Sequence, residues 1–195
     1  MPDQRPAPDR PVPRLPRLVG RFRRDKRGAT AVEFSLIGLP FFGLLFAIME
    51  TALVFWSGQV LEVAVADASR ALYTGTFQND ANNASNAATK FKENICTKAG
   101  ALIPNCTTTG LYVDVRVLPK FGASSSIPPV LVNKEINTAA FGYTKPEARQ
   151  VVLVRAAAVL PVYASQLTPG LANLSSGRRL VLATSAFMTE PFATN

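Results

Sequence analysis

The residues with the clearest chemical potential surround Glu33, a carboxylate at the start of an otherwise apolar stretch. In a membrane, an ionisable group at that position costs on the order of a few kcal/mol unless it is paired or reaches the interface. Gly28 stands five residues earlier, directly after the basic residue Arg27. Proteolysis after Gly28 would give Ala29 a free ammonium group, which could pair with Glu33 of a neighbouring copy where helices are bundled in a low dielectric. The spacing is therefore compatible with a cleavage and assembly motif.

Two alternatives give Glu33 a purely structural role. Its side chain could extend to the membrane interface, or its carboxylate could interact favourably with the dipole of the first helical turn. The residues alone leave all three interpretations open.

The apolar segment after Glu33 indicates a membrane anchor. Residues 34–56 contain one charged side chain, Glu50, and at about 1.5 Å per residue they extend about 34 Å, enough to cross a hydrocarbon core of about 30 Å. Positively charged flanks stay on the cytoplasmic side, which predicts one span with the N-terminus inside and the remainder outside. The basic flank consists of Arg21, Arg23, Arg24, Lys26 and Arg27.

A secretory signal and a buried core helix fit this segment less well. A cleaved secretory signal has an apolar region of about 7–15 residues, whereas this one is longer and is followed by a continuing helical pattern. A buried helix of a soluble protein would not explain the preceding basic cluster.

The net charge of +8 also comes mainly from the N-terminus. Residues 1–27 contain nine basic residues, three acidic residues and six prolines, a composition that predicts a disordered leader. Because the basic excess is confined to this tail, topology and anionic lipid explain it better than nucleic-acid binding. We expect no nucleic-acid partner.

The string GATAVEF at residues 28–34, with basic residues before it and an apolar helix after it, resembles the prepilin peptidase signal of the Flp, or tight-adherence (Tad), pilus system. In that system, cleavage follows the glycine of a G-x-x-x-x-E-[YF] motif. The longer context resembles TadE-like pseudopilins, or minor pilins, and residues 181–192 are similar to their closing strand. The resemblance implies a cleavage site between Gly28 and Ala29 and a processing and assembly motif that contains Glu33 and Phe34.

The resemblance further implies a minor pilin or pseudopilin in a bacterial inner membrane, with a cytoplasmic N-terminus and a periplasmic C-terminal domain that could enter the pilus. Its implied partners are prepilin peptidase, other pilins or pseudopilins, the inner-membrane assembly platform and membrane lipid. Glu50 would contact a partner pilin or the platform, or extend outward to the interface. The alternative is an unprocessed, TadG-like envelope protein whose outer domain binds a partner or surface component.

Cys96 and Cys106 are the only cysteines. The predicted topology places them in an oxidising compartment, which favours a disulfide worth up to roughly 3 kcal/mol on the chain-entropy model. A metal site is disfavoured because the chain has no histidine and two thiolates supply too few ligands.

An enzymatic function is also disfavoured. The absence of histidine excludes the usual Ser-His-Asp and Cys-His arrangements, and the scattered glycines form no phosphate-binding loop. We expect neither a catalytic residue nor a cofactor.

One long helix is predicted to position the motif. Apolar residues after Trp56 recur at three- and four-residue spacings, which predicts a helix from Ala29 to Tyr73 with a stop at Gly75. Pro40 should introduce a kink or an open turn. The predicted domains are a leader (1–28), a transmembrane and spine helix (29–75) and an extracytoplasmic head (76–195).

The head is predicted to be a small α+β domain, so that the whole chain is pilin-like. Alternating apolar residues indicate a half-buried first strand, and a more continuously apolar run indicates a central second strand. The predicted elements are a helix at 80–98, strands at 111–118, 149–160 and 179–190, a long loop at 120–146 and a short helix at 162–173.

Overall fold

The described part of the chain comprises one long helix and an α+β head. The computed structural model describes residues 28–80, 86–123, 127–165, 168 and 170–192. The predicted leader, up to residue 27, lies outside these described residues. The described chain divides into two compact units between Gly43 and Leu44.

Helix α1 extends over Ala29–Tyr73, 45 residues, and confirms the predicted helix. Pro40 lies inside this helix, and the kink or open turn expected there stays a prediction. In the first unit its apolar side chains are exposed, including Phe34 and Leu39. By length and composition, α1 is able to cross a membrane.

In the second unit, α1 packs one face against the head. The buried positions recur at spacings of three and four residues, as expected for one face of a helix. Burial of each large apolar side chain contributes about 1.5–3 kcal/mol. These buried residues are Glu50, Val54, Ser57, Leu61, Ala64, Val65, Ala68, Ser69 and Leu72.

Gly75 ends α1, as predicted. Its φ of +76° lies in the left-handed region that glycine adopts most easily. A Cβ at this position would collide with the ring of Phe192, so both backbone conformation and packing require glycine. The short helix α2, Thr76–Asn79, follows.

Helix α3, Ala87–Ala99, is linked to the segment that follows it by a disulfide bond. It lies within the helix predicted at 80–98 except for its last residue, and residues 81–85 fall outside the described chain. The predicted disulfide is present: Cys96 of α3 is bonded to Cys106, with Cα atoms 5.8 Å apart. Cys106 begins a π-helical turn, Cys106–Gly110, that leads into the sheet.

Three antiparallel strands form the main sheet, in agreement with the predicted α+β class. They are β1 (Leu111–Leu118), β4 (Val151–Leu160) and β5 (Arg179–Met188), in the spatial order β1-β4-β5. The central position of β4 explains its continuously apolar sequence, because both of its faces are covered. Leu160 at the end of β4 pairs with Arg179 at the start of β5.

Different segments of the chain pack on the two faces of the sheet. One face, which includes Val152 and Val154, shares a core with α1 and α3. On the other face, Ala157 and Val159 pack with side chains of the 130–141 segment. This segment contains the hairpin strands β2 (Leu131–Val132) and β3 (Glu135–Ile136) and the 3-10 helix Thr138–Ala140.

Two predictions for the head require correction. The 120–146 segment was expected to be a loop but contains the β2–β3 hairpin, and it covers the β1 face that was predicted to be exposed. No helix occurs at the described positions of 162–173. Turns are closed there by the Thr168 amide, which donates to the Ala164 carbonyl at 2.9 Å, and by the Leu171 amide, which donates to the Thr168 carbonyl at 3.0 Å.

Candidate functional site

The predicted processing motif lies at the start of α1. Ala29 is the first residue of the helix, and both Glu33 and Phe34 are exposed. The Glu33 carboxylate has no hydrogen-bond or ion-pair partner among the described residues. An ion-pair partner for this carboxylate would lie outside the described residues, and the three interpretations of Glu33 stay predictions.

The fold gives no steric reason for a glycine at position 28. A Cβ placed on Gly28 would meet no atom within 4 Å. At Gly110, by contrast, a Cβ would collide with the Pro104 carbonyl oxygen. Packing therefore does not require a glycine at position 28, whereas it does at positions 75 and 110.

The second glutamate of α1, Glu50, has an internal binding site. It is only 5% exposed, and its Oε1 accepts a hydrogen bond from the Tyr163 amide. The Ala164 amide donates to both carboxylate oxygens, at 3.1 and 3.2 Å, and Thr168 Oγ1 donates to Oε2 at 3.4 Å. We call this set of contacts the Glu50 clamp.

The clamp works because the loop presents its amides at the start of a turn. Pro161 follows the last residue of β4 and cannot extend the ladder by donating a hydrogen bond. The chain then turns, and Thr168 closes the turn onto Ala164. The first amides of a turn have no internal acceptor and form a natural anion site, which the Glu50 carboxylate fills.

The clamp corrects the roles expected for Glu50. This side chain was expected to contact a partner protein or to extend to the interface, but it binds the chain's own loop, 113 residues away. The sequence signal was a charge in an apolar helix. Its partner could not be identified from the sequence because backbone amides provide the contacts and any residue except proline has one.

A second buried polar cluster lies on the face of the sheet that the 130–141 segment covers. Asp114 is fully buried, and it accepts hydrogen bonds from Arg155 at 2.7 and 3.0 Å and from Arg116 at 2.7 and 2.9 Å. Both guanidinium groups also donate to the Ala140 carbonyl. The cluster fixes the 128–142 segment against the sheet; the sequence signal for it was Arg155 within an apolar strand.

An aromatic cluster closes the core near α3. Phe77 packs edge-to-face on Phe91 with ring centroids 5.4 Å apart, and Tyr143 lies against both rings. Burial of the Tyr143 phenol raises its pKa to about 12, because the charged phenolate would lose hydration. This phenol therefore stays protonated and structural near neutral pH.

Within the described ranges, no group of three or more His, Cys, Asp or Glu residues is arranged to hold a metal ion. The first two glutamates of α1, Glu33 and Glu50, lie 17 positions apart and belong to different compact units. The motif at the start of α1 and the Glu50 clamp are therefore two separate candidate sites, and the chemistry available to each is that of a carboxylate.

The comparisons with known proteins agree with this location. The family model described as TadE-like protein matches residues 28–70, which begin at Gly28 and end within α1. The match confirms the resemblance to TadE-like proteins over these residues of α1. No curated protein and no solved structure matches the chain.

Proposed function

We propose that this chain is a minor pilin or pseudopilin that takes part in assembling a Tad/Flp-type pilus. In this proposal it has no enzymatic activity and is matured by prepilin peptidase, which cleaves between Gly28 and Ala29. The single observation that carries the proposal is the TadE-like match, which starts at Gly28. The open space around Gly28 supports a requirement for glycine that arises from a partner and not from the fold.

The proposed topology rests on two independent features. The basic residues before Gly28 favour a cytoplasmic N-terminus. The Cys96–Cys106 disulfide fits an oxidising compartment for the head, which is the periplasm if the membrane is a bacterial inner membrane. The partners would be the peptidase, other pilins or pseudopilins, the assembly platform and membrane lipid.

The proposed role of Glu33 is to guide the mature subunit to its neighbours. Cleavage creates an ammonium at Ala29, one turn from an exposed carboxylate that has no partner in the described chain. In a bundle of helices, each Glu33 could pair with the ammonium of an adjacent subunit, which would offset the cost of a charge in apolar surroundings. Helix α1 would then serve as the polymerisation element.

The test is the state of the N-terminus. Intact mass and N-terminal sequencing are compared for protein from membranes of a bacterium with and without its prepilin peptidase. We expect peptidase-dependent loss of residues 1–28, with Ala29 first. An intact chain in both strains would contradict maturation and would favour the unprocessed envelope protein.

Two variants separate the proposed roles. Gly28→Ala should block cleavage, whereas Glu33→Ala should be cleaved but assemble poorly, as measured by the amount of the protein in sheared pilus fractions. Gly38→Ala is the matched control, because a Cβ there makes only ordinary contacts of 3.7–3.9 Å with Phe34 and Phe42. Equal loss of cleavage in the Gly28 and Glu33 variants would contradict the division of roles.

A further inference from the structure

The Glu50 clamp defines one end of the head, and that end carries exposed aromatic and basic side chains. We infer that the head rests directly on the bilayer through this end. The contact surface consists of Phe55, Trp56, Tyr163 and Arg178, and we call it the seating surface. The inference concerns lipid contact by the head and does not depend on cleavage or pilus assembly.

The clamp sets the position of the membrane boundary. From Glu50 onward, one face of α1 is covered by the head, beginning with Val54 and Ser57. The backbone of the clamped loop at Tyr163 and Ala164 cannot lie in hydrocarbon, where exposed irregular backbone is not tolerated. The outer boundary therefore falls near Glu50, six residues before the sequence-predicted boundary at Trp56.

The length of the remaining apolar helix agrees with this boundary. Residues 29–49, which include Glu33 one turn from their start, number 21 and, at about 1.5 Å per residue, extend about 31 Å. A hydrocarbon core is about 30 Å thick. The segment before Glu50 is thus long enough to span the bilayer without the six residues that follow.

Aromatic exposure on the seating surface fits the interface. Tyr163 is 79% exposed although Glu50 holds its amide, and Phe55 and Trp56 are 70% and 57% exposed. Helical side chains lean toward the N-terminus, so Phe55 and Trp56 lean toward the membrane boundary. Tyrosine and tryptophan, which combine an apolar ring with a polar group, concentrate at membrane interfaces.

The charges of this end favour anionic headgroups. Arg178 and Arg179 are the only charged residues in the segment 160–180, and the nearby Glu50 carboxylate is occupied by amide donors. The exposed Glu62 of α1 lines a groove with Arg179 and Phe55, so Arg178 carries the proposed contact with a headgroup. Arg178 is exposed, and Arg179 pairs in register with Leu160, three residues before Tyr163. Aromatic rings and arginines at the same end of the sheet therefore match an interface rich in acidic phospholipid.

The opposite end of the sheet also carries exposed aromatic side chains, Phe121 (58%) and Tyr73 (38%). Its exposed charges include Glu147, Arg149 and Glu190, and mixed charges of both signs are typical of a surface in water. The clamped end differs because α1 enters the head there, at Glu50, and this position selects it as the end that contacts lipid.

Trp56 is the chain's only tryptophan, so its fluorescence reports on one position. The full-length protein is reconstituted in phosphatidylcholine vesicles with or without phosphatidylglycerol. Its emission is then quenched by headgroup spin labels, by mid-chain brominated lipids or by aqueous acrylamide. We expect quenching to be strongest from the headgroup label. Strongest quenching by mid-chain bromines or by acrylamide would overturn the inferred boundary.

A second probe tests the head independently of α1. In a Trp56→Phe background, Tyr163→Trp places the only tryptophan on the clamped loop, and Tyr73→Trp is the matched control at the far end of α1. We expect headgroup quenching for the Tyr163→Trp protein and acrylamide quenching for the control. Protection of the Tyr163→Trp probe from all three quenchers, which would indicate a protein neighbour such as a second copy, would overturn the inference.

Adding Glu50→Ala to the Tyr163→Trp protein tests the clamp. The released loop should lose at least half of its headgroup quenching, while circular dichroism reports whether the head remains folded. If that variant does not fold, the anionic-lipid dependence of the Tyr163→Trp probe decides alone. We expect Arg178→Gln to reduce this dependence, and no dependence on phosphatidylglycerol would contradict the proposed role of the arginine.

Discussion

Glu33 and Glu50 are two carboxylates in the same apolar helix, and they are stabilised in opposite ways. Glu33 is exposed and has no partner among the described residues. Glu50 is buried and binds two backbone amides and a hydroxyl of its own chain. An ionisable group in an apolar helix requires compensation. The comparison shows that Glu50 obtains it from its own chain, whereas no described residue supplies it to Glu33.

The largest expected effect comes from removing each carboxylate in turn. Glu50→Ala leaves the part-buried amide of Tyr163 and the buried amide of Ala164 without their acceptor, and the loss of an acceptor costs a buried donor about 1–3 kcal/mol. We therefore expect the free energy of unfolding of the head to fall by about 3 kcal/mol. Glu33→Ala should change it by less than about 0.5 kcal/mol, as for most exposed sites.

Urea unfolding in detergent, followed by circular dichroism, measures both variants. Glu50→Gln retains one acceptor oxygen and should lie between Glu50→Ala and the unmodified chain. Equal stability of the two alanine variants would show that the clamp contributes nothing and would remove the distinction between the two glutamates.

A smaller effect is expected from a matched pair of glycines. Gly75→Ala forces an alanine into the left-handed region, at about 1–2 kcal/mol, and displaces the Phe192 ring. Gly28→Ala should leave the unfolding free energy unchanged, because a Cβ there meets nothing within 4 Å. The same unfolding measurement applies, and destabilisation by Gly28→Ala would assign that glycine to the fold instead of to a processing partner.

The last prediction concerns the stability of the head, which near neutral pH should not change and at alkaline pH should fall. The pKa of Tyr143 is about 12 in the folded chain against 10.0 ordinarily. The unfolded chain therefore loses this proton first, so stability is unaffected below pH 10 and falls as the pH rises from 10 to 12. Tyr143→Phe should flatten this fall in unfolding measurements across that range. Tyr163→Phe, at an exposed phenol, is the control and should keep the fall.

The sequence predicted those elements that depend on local patterns. The bounds of α1 were confirmed at both ends, because apolar spacing and the left-handed glycine at position 75 act within a few residues. The three strands and the central position of β4 followed from the period and continuity of their apolar residues. The boundaries of the proposed domains and the cleavage after Gly28 remain predictions.

The errors concern contacts between distant residues. β1 was predicted to expose the face that carries Asp114, but the 128–142 segment covers it and Arg155 neutralises it from 41 residues away. The described positions of 162–173, where a helix was expected, form an irregular loop with turns closed by the Thr168 and Leu171 amides. Periodicity does not reveal which loop folds over a strand, since many loops of similar composition could.

The sequence by itself thus determined that the chain has one long apolar helix with a motif at its start, a disulfide and a three-stranded head. Only the tertiary structure decided what the second charge in that helix does. Helix and strand periods are local properties of the backbone and side chains, whereas Glu50 meets its donors across 113 residues. Those donors are backbone amides, and their availability depends on how the chain turns after β4.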